Sequence, residues 1–280
     1  MKKKSLFLFL VLTSLGAFSQ EEKVEKVSNK GKMFIYWGWN RANYSTSDIS
    51  FRGYNYNFTL QNVVANERTT EFSLNDYINP LNITNPQTNV RIGYFLNDHY
   101  SVSVGVDHMK YVVEGYQTVK INGEINAGTR FDGVYNNDDI RLSHDFLQLE
   151  HTDGLNYVNV EVKRFDEIGH WIGMNNKNFQ LNITEGFGAG FLYPRTDAIL
   201  FNQEERDEFQ VSGWGISAGV GLNLTFFKYF FFQSDLKYGY INMPNIQTTP
   251  NEEDKASQSF TFLEKTFVFG AKFNILKNKK

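Results

Sequence analysis

The sequence predicts an all-β chain closed into an antiparallel, up-and-down transmembrane β-barrel of eight strands with long external loops, and three observations carry that expectation. The first is strict period-two alternation. Across 213–226, Trp214, Ile216, Ala218, Val220, Leu222, Leu224 and Phe226 share one parity, while Gly213, Gly215, Ser217, Gly219, Gly221, Asn223 and Thr225 share the other. A β-strand puts two such sets on opposite faces. The second is that apolar runs beyond the N-terminus are interrupted every second residue, so no segment supplies the ~20 apolar residues of a membrane helix. A barrel strand needs only about 9 to 11 alternating ones. The third is that the links between alternating segments are long, then short, in turn.

The elements follow in order. Lys2, Lys3 and Lys4 precede a mostly apolar run from Leu6 to Leu15, and Ala17-Phe18-Ser19 places small residues at the −3 and −1 positions before Gln20. Residues 1–19 therefore read as a secretory signal, and 20–280 as one barrel domain with a short charged lead, EEKVEKVSNKGK. Strands are expected at KMFIYWGWNRANY (32–44), NVRIGYFL (89–96) and YSVSVGVDHMKYVV (100–113). Two more lie within 146–165 and 179–193. A pair flanks the Phe227-Lys228-Tyr229 turn, and the last is FTFLEKTFVFGAKFNI (260–275). The long links, at 45–88, 114–145, 194–210 and 242–259, are then external loops, and an even strand count returns both termini to the periplasmic side. YNYNFTLQNVV in the first link also alternates, which leaves open a ten-strand ring or a hairpin rising above the membrane.

Composition narrows the function classes. A formal charge of −3 gives no basic surface for nucleic acid, so no nucleic-acid partner is expected. The absence of cysteine excludes disulfides, thiolate metal sites, a cysteine nucleophile and a lipid-modified N-terminal cysteine. The second face of the strands is Gly, Ser, Asn and Thr, which suits a narrow lumen, while Phe, Trp, Val and Leu suit lipid. Lipid is therefore placed outside.

The alternation, the signal sequence and the aromatic-rich final strand KTFVFGAKFNI make the chain resemble the small bacterial outer-membrane β-barrels of the OmpX and OmpA transmembrane-domain type. The resemblance covers nearly the whole mature chain. It implies location in the bacterial outer membrane, contact with outer-membrane lipid and lipopolysaccharide, and insertion by the barrel-assembly machinery. The chain departs from the pattern at its end, where Phe273 is followed by NILKNKK instead of closing the sequence on an aromatic residue.

Candidate functional residues lie on the lumen parity. Arg91, Asp107, Glu161, Lys163, Asp235, Lys237 and Lys272 point inward and are expected to pair as a plug of salt bridges, since an eight-strand barrel leaves little interior beyond side-chain filling, with a conducting pore as the alternative. Some barrels of the resembling class hydrolyse or transfer acyl chains with a His and a Ser or carboxylate near the outer rim. The candidates here are His151, Asp153 and Asp107, with His151 and Asp153 on the parity of Glu161. No Ser stands in a nucleophile context and no G-x-S-x-G occurs. His108 has the outward parity. Acidic clusters at 135–140, 202–208 and 251–255 lack EF-hand spacing and read as solvated charge in external loops. GFGAG (186–190) falls within a strand, so it is no phosphate loop. The expectation is a non-enzymatic outer-membrane barrel, without metal or cofactor, whose long loops meet an extracellular ligand or cover the membrane. The alternative is a lipid-directed hydrolase or acyltransferase at the outer rim.

Overall fold

The computed structural model describes residues 28–71, 73–78, 86–174, 178–206, 209–249 and 251–274. The expected signal sequence and the end of the basic tail lie outside them. In chain order the elements are β1 (Lys32–Tyr44), β2 (Ser47–Gly53), β3 (Tyr56–Val63), β4 (Ala65–Asn66), a short helix α1 (Leu74–Ile78), β5 (Thr88–Phe95), β6 (Tyr100–Val113), β7 (Thr118–Ile125) and β8 (Gly133–Arg141). There follow β9 (Leu147–Glu167), a 3₁₀ turn (Gly169–Ile172), β10 (Phe179–Leu192), β11 (Asp197–Leu200), β12 (Gln203–Arg206), β13 (Gly213–Phe226), β14 (Phe230–Gln247) and β15 (Lys255–Asn274).

Eight of these close a ring in the order β1-β5-β6-β9-β10-β13-β14-β15, and β15 pairs back onto β1. They are the eight strands read from the alternation. The register row that leaves Met33 runs through Tyr94, Val102, Val162, Phe187, Ala218, Tyr238 and Leu263 and returns at Asn43, ten residues further along the same strand. A shear of that size over eight strands tilts them by about 40° and sets a radius of roughly 8 Å. Such a lumen holds side chains and little else.

The glycines on the lumen face of β10 and β13 make the narrow ring possible. A Cβ on Gly190 would lie 2.0 Å from the Val158 carbonyl oxygen, and one on Gly221 would lie 2.1 Å from Asp235 Oδ1. The strand alternates glycine with large apolar residues because one side meets crowded neighbours and the other meets lipid. Around the outside, Ile35, Val104, Val160, Phe187, Trp214, Val220, Leu222 and Phe267 are all exposed. A continuous exposed apolar belt on a closed barrel, with every ring strand's backbone paired, is the form in which β-structure crosses a membrane.

Beyond the belt the long links differ from the loops expected for them. β2 and β3 form a hairpin that pairs onto the outer end of β15, and β7 and β8 extend the same sheet in the order β15-β2-β3-β7-β8. β11 and β12 extend β9, and β4 adds to β6. The alternation in 54–64 is thus one arm, β3, of a hairpin above the ring and not a barrel strand. Ring strands and added strands enclose an apolar core that includes Ile49, Phe51, Phe58, Leu60, Ile121, Phe146, Leu149 and Phe201.

This outer β-domain depends on a reversal of parity. On β15, Phe267, Phe269 and Phe273 face out, whereas Phe260 and Phe262 are buried inside. Apolar side chains point away from the lumen where lipid surrounds the strand, and towards it where water does. The acidic stretch 135–140, expected in a loop, lies in β8, and part of 202–208 forms β12. β8 is the free edge of its sheet, and a bulge at Asn137 together with Asp138 and Asp139 suits an edge that must not recruit another strand.

Candidate functional site

The lumen is filled in three layers, each dictated by which residues fall on the inward parity. The middle layer is ionic. Arg91 on β5 donates to the Tyr36 hydroxyl (2.9 Å) and Asn159 Oδ1 (2.7 Å), and lies 3.6 Å from Asp107 Oδ1. Asp107 on β6 also accepts from Asn89 Nδ2 (2.7 Å), Asn159 Nδ2 (3.0 Å) and Lys237 Nζ (2.5 Å). Lys237 on β14 reaches Glu264 Oε2 at 3.4 Å and Glu161 Oε2 at 4.0 Å. Lys163 on β9 bridges Asp235 (2.9 Å) and Glu161 (3.3 Å). The structure therefore brings Arg91, Asp107, Glu161, Lys163, Asp235 and Lys237 into one buried network. Lys272 stands apart from it.

Lys272 belongs to the inner layer, at the periplasmic mouth. Its ammonium lies 5.2 Å from the Phe95 ring centroid, 5.9 Å from Phe165 and 5.8 Å from Phe231, and donates to Thr225 Oγ1 at 2.9 Å. Ring faces stabilise a cation, and among the described residues no carboxylate pairs with this one. Phe34, Tyr36 and Val268 complete this aromatic floor. The outer layer is apolar: Met109, Tyr111, Leu155, Tyr157, Ile241 and Phe262 cap the network and run into the core of the outer domain.

The rim candidates are not assembled. His151 is fully buried in the outer layer, with Nδ1 3.1 Å from Thr196 Oγ1 and its ring 5.7 Å from that of Tyr111. Burial lowers its pKa to about 3, so it stays neutral. Asp107 is committed to the lumen cations. Asp153, expected on the inward parity with His151, instead pairs with Arg195 at 2.7 Å and is half-buried. The cause is a bulge: His151 to Leu155 on β9 faces only Tyr111 to Met109 on β6, so Asp153 falls among the extra residues beside Gly154, at φ +97°, and the inward parity resumes at His151. His108, on the outward parity, is covered by that same irregular segment and meets Asn156 Oδ1 at 2.7 Å.

Sequence reasoning missed Glu264, Asn89, Asn159 and Tyr36. Glu264 shares a parity with Thr266 and Lys272 on one strand, which is the signal that places it inside. An open cleft lies outside the lumen, on the outer domain. Its volume is about 420 Å³, and it is lined by Tyr116, Arg130, Phe131 and Arg141 among others. Arg141 lies over the Tyr116 ring at 5.0 Å and Arg130 over the Phe131 ring at 4.7 Å.

No family model matches the chain. No curated protein matches it. Among solved structures it is similar to the outer membrane protein OprG from Pseudomonas aeruginosa, at 13% identity and a TM-score of 0.39, covering 88% of this chain and 97% of that one. It is similar also to Ail, the attachment invasion locus protein of Yersinia pestis, at 14% identity and a TM-score of 0.32, covering 87% and 99%. A third likeness is to the outer membrane protein AlkL in lipid bilayers, at 10% identity and a TM-score of 0.42, covering 94% and 100%. Ring closure, apolar belt and polar lumen are this chain's own, and they are the architecture of an outer-membrane β-barrel.

Proposed function

We propose that this outer-membrane barrel is a non-enzymatic anchor that holds its β-domain outside the cell as a surface for an extracellular partner. The observation that carries the reading is the continuity between the two parts. The outer ends of β9, β14 and β15 are also strands or core of the outer domain, so the barrel fixes that domain rigidly above the membrane. A lumen closed by an aromatic floor, an ion network and an apolar cap favours an anchor over a conduit. The cleft beside Arg130 and Arg141, with cations stacked on aromatic faces, is the part of the domain best suited to contact a ligand. Insertion would depend on the barrel-assembly machinery, and the belt on outer-membrane lipid.

Two measurements on the intact protein test this. In planar bilayers it should give no conductance steps, and stepwise conductance would replace the anchor with a channel. Fatty-acid analysis of membranes with and without the protein should be identical. An acyl chain lost or gained in a manner dependent on His151 would establish the lipid-directed hydrolase or acyltransferase instead.

A further inference from the structure

We infer that the β1–β15 seam carries an external binding site for a phosphomonoester-bearing glycolipid of the outer leaflet, of the lipid A type, with Arg41 and Lys265 as its two cations. The inference rests on the outer-membrane reading above. Arg41 and Lys265 are direct register partners on neighbouring strands, and both occupy the outward parity. Elsewhere on the outer half of the belt, that parity holds Val106, Val158, Phe191, Trp214 and Tyr240. A cation on a lipid face is unfavourable near the midplane and costs little near the headgroups. Strands tilted by about 40° climb roughly 2.5 Å per residue, which puts Arg41 about 20 Å above Met33, near the outer edge of a ~25 Å belt. The pair therefore stands at headgroup level.

What lies beneath the pair fits acyl chains. The next two register pairs down the seam are Trp39 with Phe267 and Trp37 with Phe269. Trp37 meets Phe269 edge-on at 5.3 Å, and Trp39 lies 6.2 Å from the same ring. The result is an aromatic shelf directly under two positive charges. Arg41 is already oriented: Nη1 donates to Gln87 Oε1 at 2.9 Å and Nη2 to the Tyr77 hydroxyl at 2.7 Å, with Glu67 4.0 Å away. Lys265 is exposed and makes no ion pair among the described residues. Two cations against one distant carboxylate leave net positive charge. A phosphomonoester carries between one and a half and two negative charges near neutral pH, whereas the phosphodiester of a glycerophospholipid carries one. Two adjacent cations match the former.

The test uses the full mature barrel in phosphatidylcholine nanodiscs doped with diphosphorylated lipid A, dephosphorylated lipid A or phosphatidylglycerol, and reads bound lipid by native mass spectrometry. Diphosphorylated lipid A should be retained about thirtyfold better than either of the others, and the Arg41→Gln/Lys265→Gln double variant should lose that preference. Should the double variant not insert, Lys265→Gln alone is expected to weaken retention about fivefold. Equal retention of the three lipids, or an unchanged preference in an inserted variant, overturns the site. Boiled and unboiled samples run on a denaturing gel keep the two readings apart. A wild-type protein whose migration never shifts overturns the barrel and the site together, while a normal shift with equal retention overturns the site alone.

Discussion

Replacing Asp107 with Ala should cost more stability than any other single carboxylate removal in the lumen. Asp107 accepts from two amides and one ammonium and lies 3.6 Å from a guanidinium, with Asp107 and Arg91 each at 1% exposure. Without it, Lys237 retains Glu264 at 3.4 Å, but Arg91 is left with neutral acceptors only: Tyr36, Ser103 and Asn159. Removing one member of a buried pair costs about 3 to 5 kcal/mol. Glu264→Gln is the matched control. It leaves Lys237 on Asp107 and sets three cations against three carboxylates in the layer, so its cost should stay within about 1 kcal/mol. Urea unfolding in lipid vesicles, followed by the gel shift between folded and unfolded barrel, measures both. An Asp107→Ala protein within 1 kcal/mol of wild type, or a Glu264→Gln protein as damaged as Asp107→Ala, refutes the network as drawn.

Other outcomes follow from the same geometry. Val160 is 53% exposed on the belt, so Val160→Lys should destabilise by roughly 2 to 4 kcal/mol in a bilayer, while Glu161→Ala, its inward neighbour, leaves Lys163 with Asp235 alone and should cost less than Asp107→Ala; tolerance of charge at 160 would mean the barrel faces the other way. Gly190→Ala should block closure between β9 and β10, seen as loss of the unboiled gel form, because its Cβ would stand 2.0 Å from a backbone oxygen that cannot yield. His151 titrates near 3 when folded and near 6.5 when unfolded, so the unfolded chain binds the extra proton and stability falls as pH drops from about 6.5 towards 3, by up to ~1.4 kcal/mol per unit. His151→Leu should flatten that slope between pH 7 and 5, and an unchanged slope would place its origin elsewhere.

The ring was legible in the sequence because lipid outside and a crowded lumen inside impose opposite demands on successive residues. Trp214 to Phe226 display those demands without interruption. The outer domain was not legible, because water replaces lipid there and the same strands exchange their apolar and polar faces. On β15 the exchange is visible as a change of phase between Phe262 and Phe267, on either side of Glu264. Reading that change as a strand leaving the membrane would have turned the expected loops into sheet. Asp153 was misplaced for a local reason: it sits in a bulge next to Gly154 at φ +97°, where β9 carries two more residues than β6, and period-two counting holds on either side of the bulge but not within it. His151 was correctly placed inward, but its parity says nothing about height, and it sits in the apolar cap above the ions.

The most direct test of a sealed barrel carrying a rigid outer domain is a spin-label accessibility scan along β15. The chain has no cysteine, so single cysteines can be placed from Ser257 to Phe273 on a clean background and probed in bilayers with oxygen and a water-soluble nickel chelate. Odd positions from 265 to 273 should be oxygen-accessible. Odd positions from 257 to 261 should instead meet the chelate, and even positions along the whole strand should be shielded from both. Oxygen-accessible odd positions throughout would remove the outer domain, and chelate-accessible even positions between 264 and 272 would mean an open, water-filled lumen.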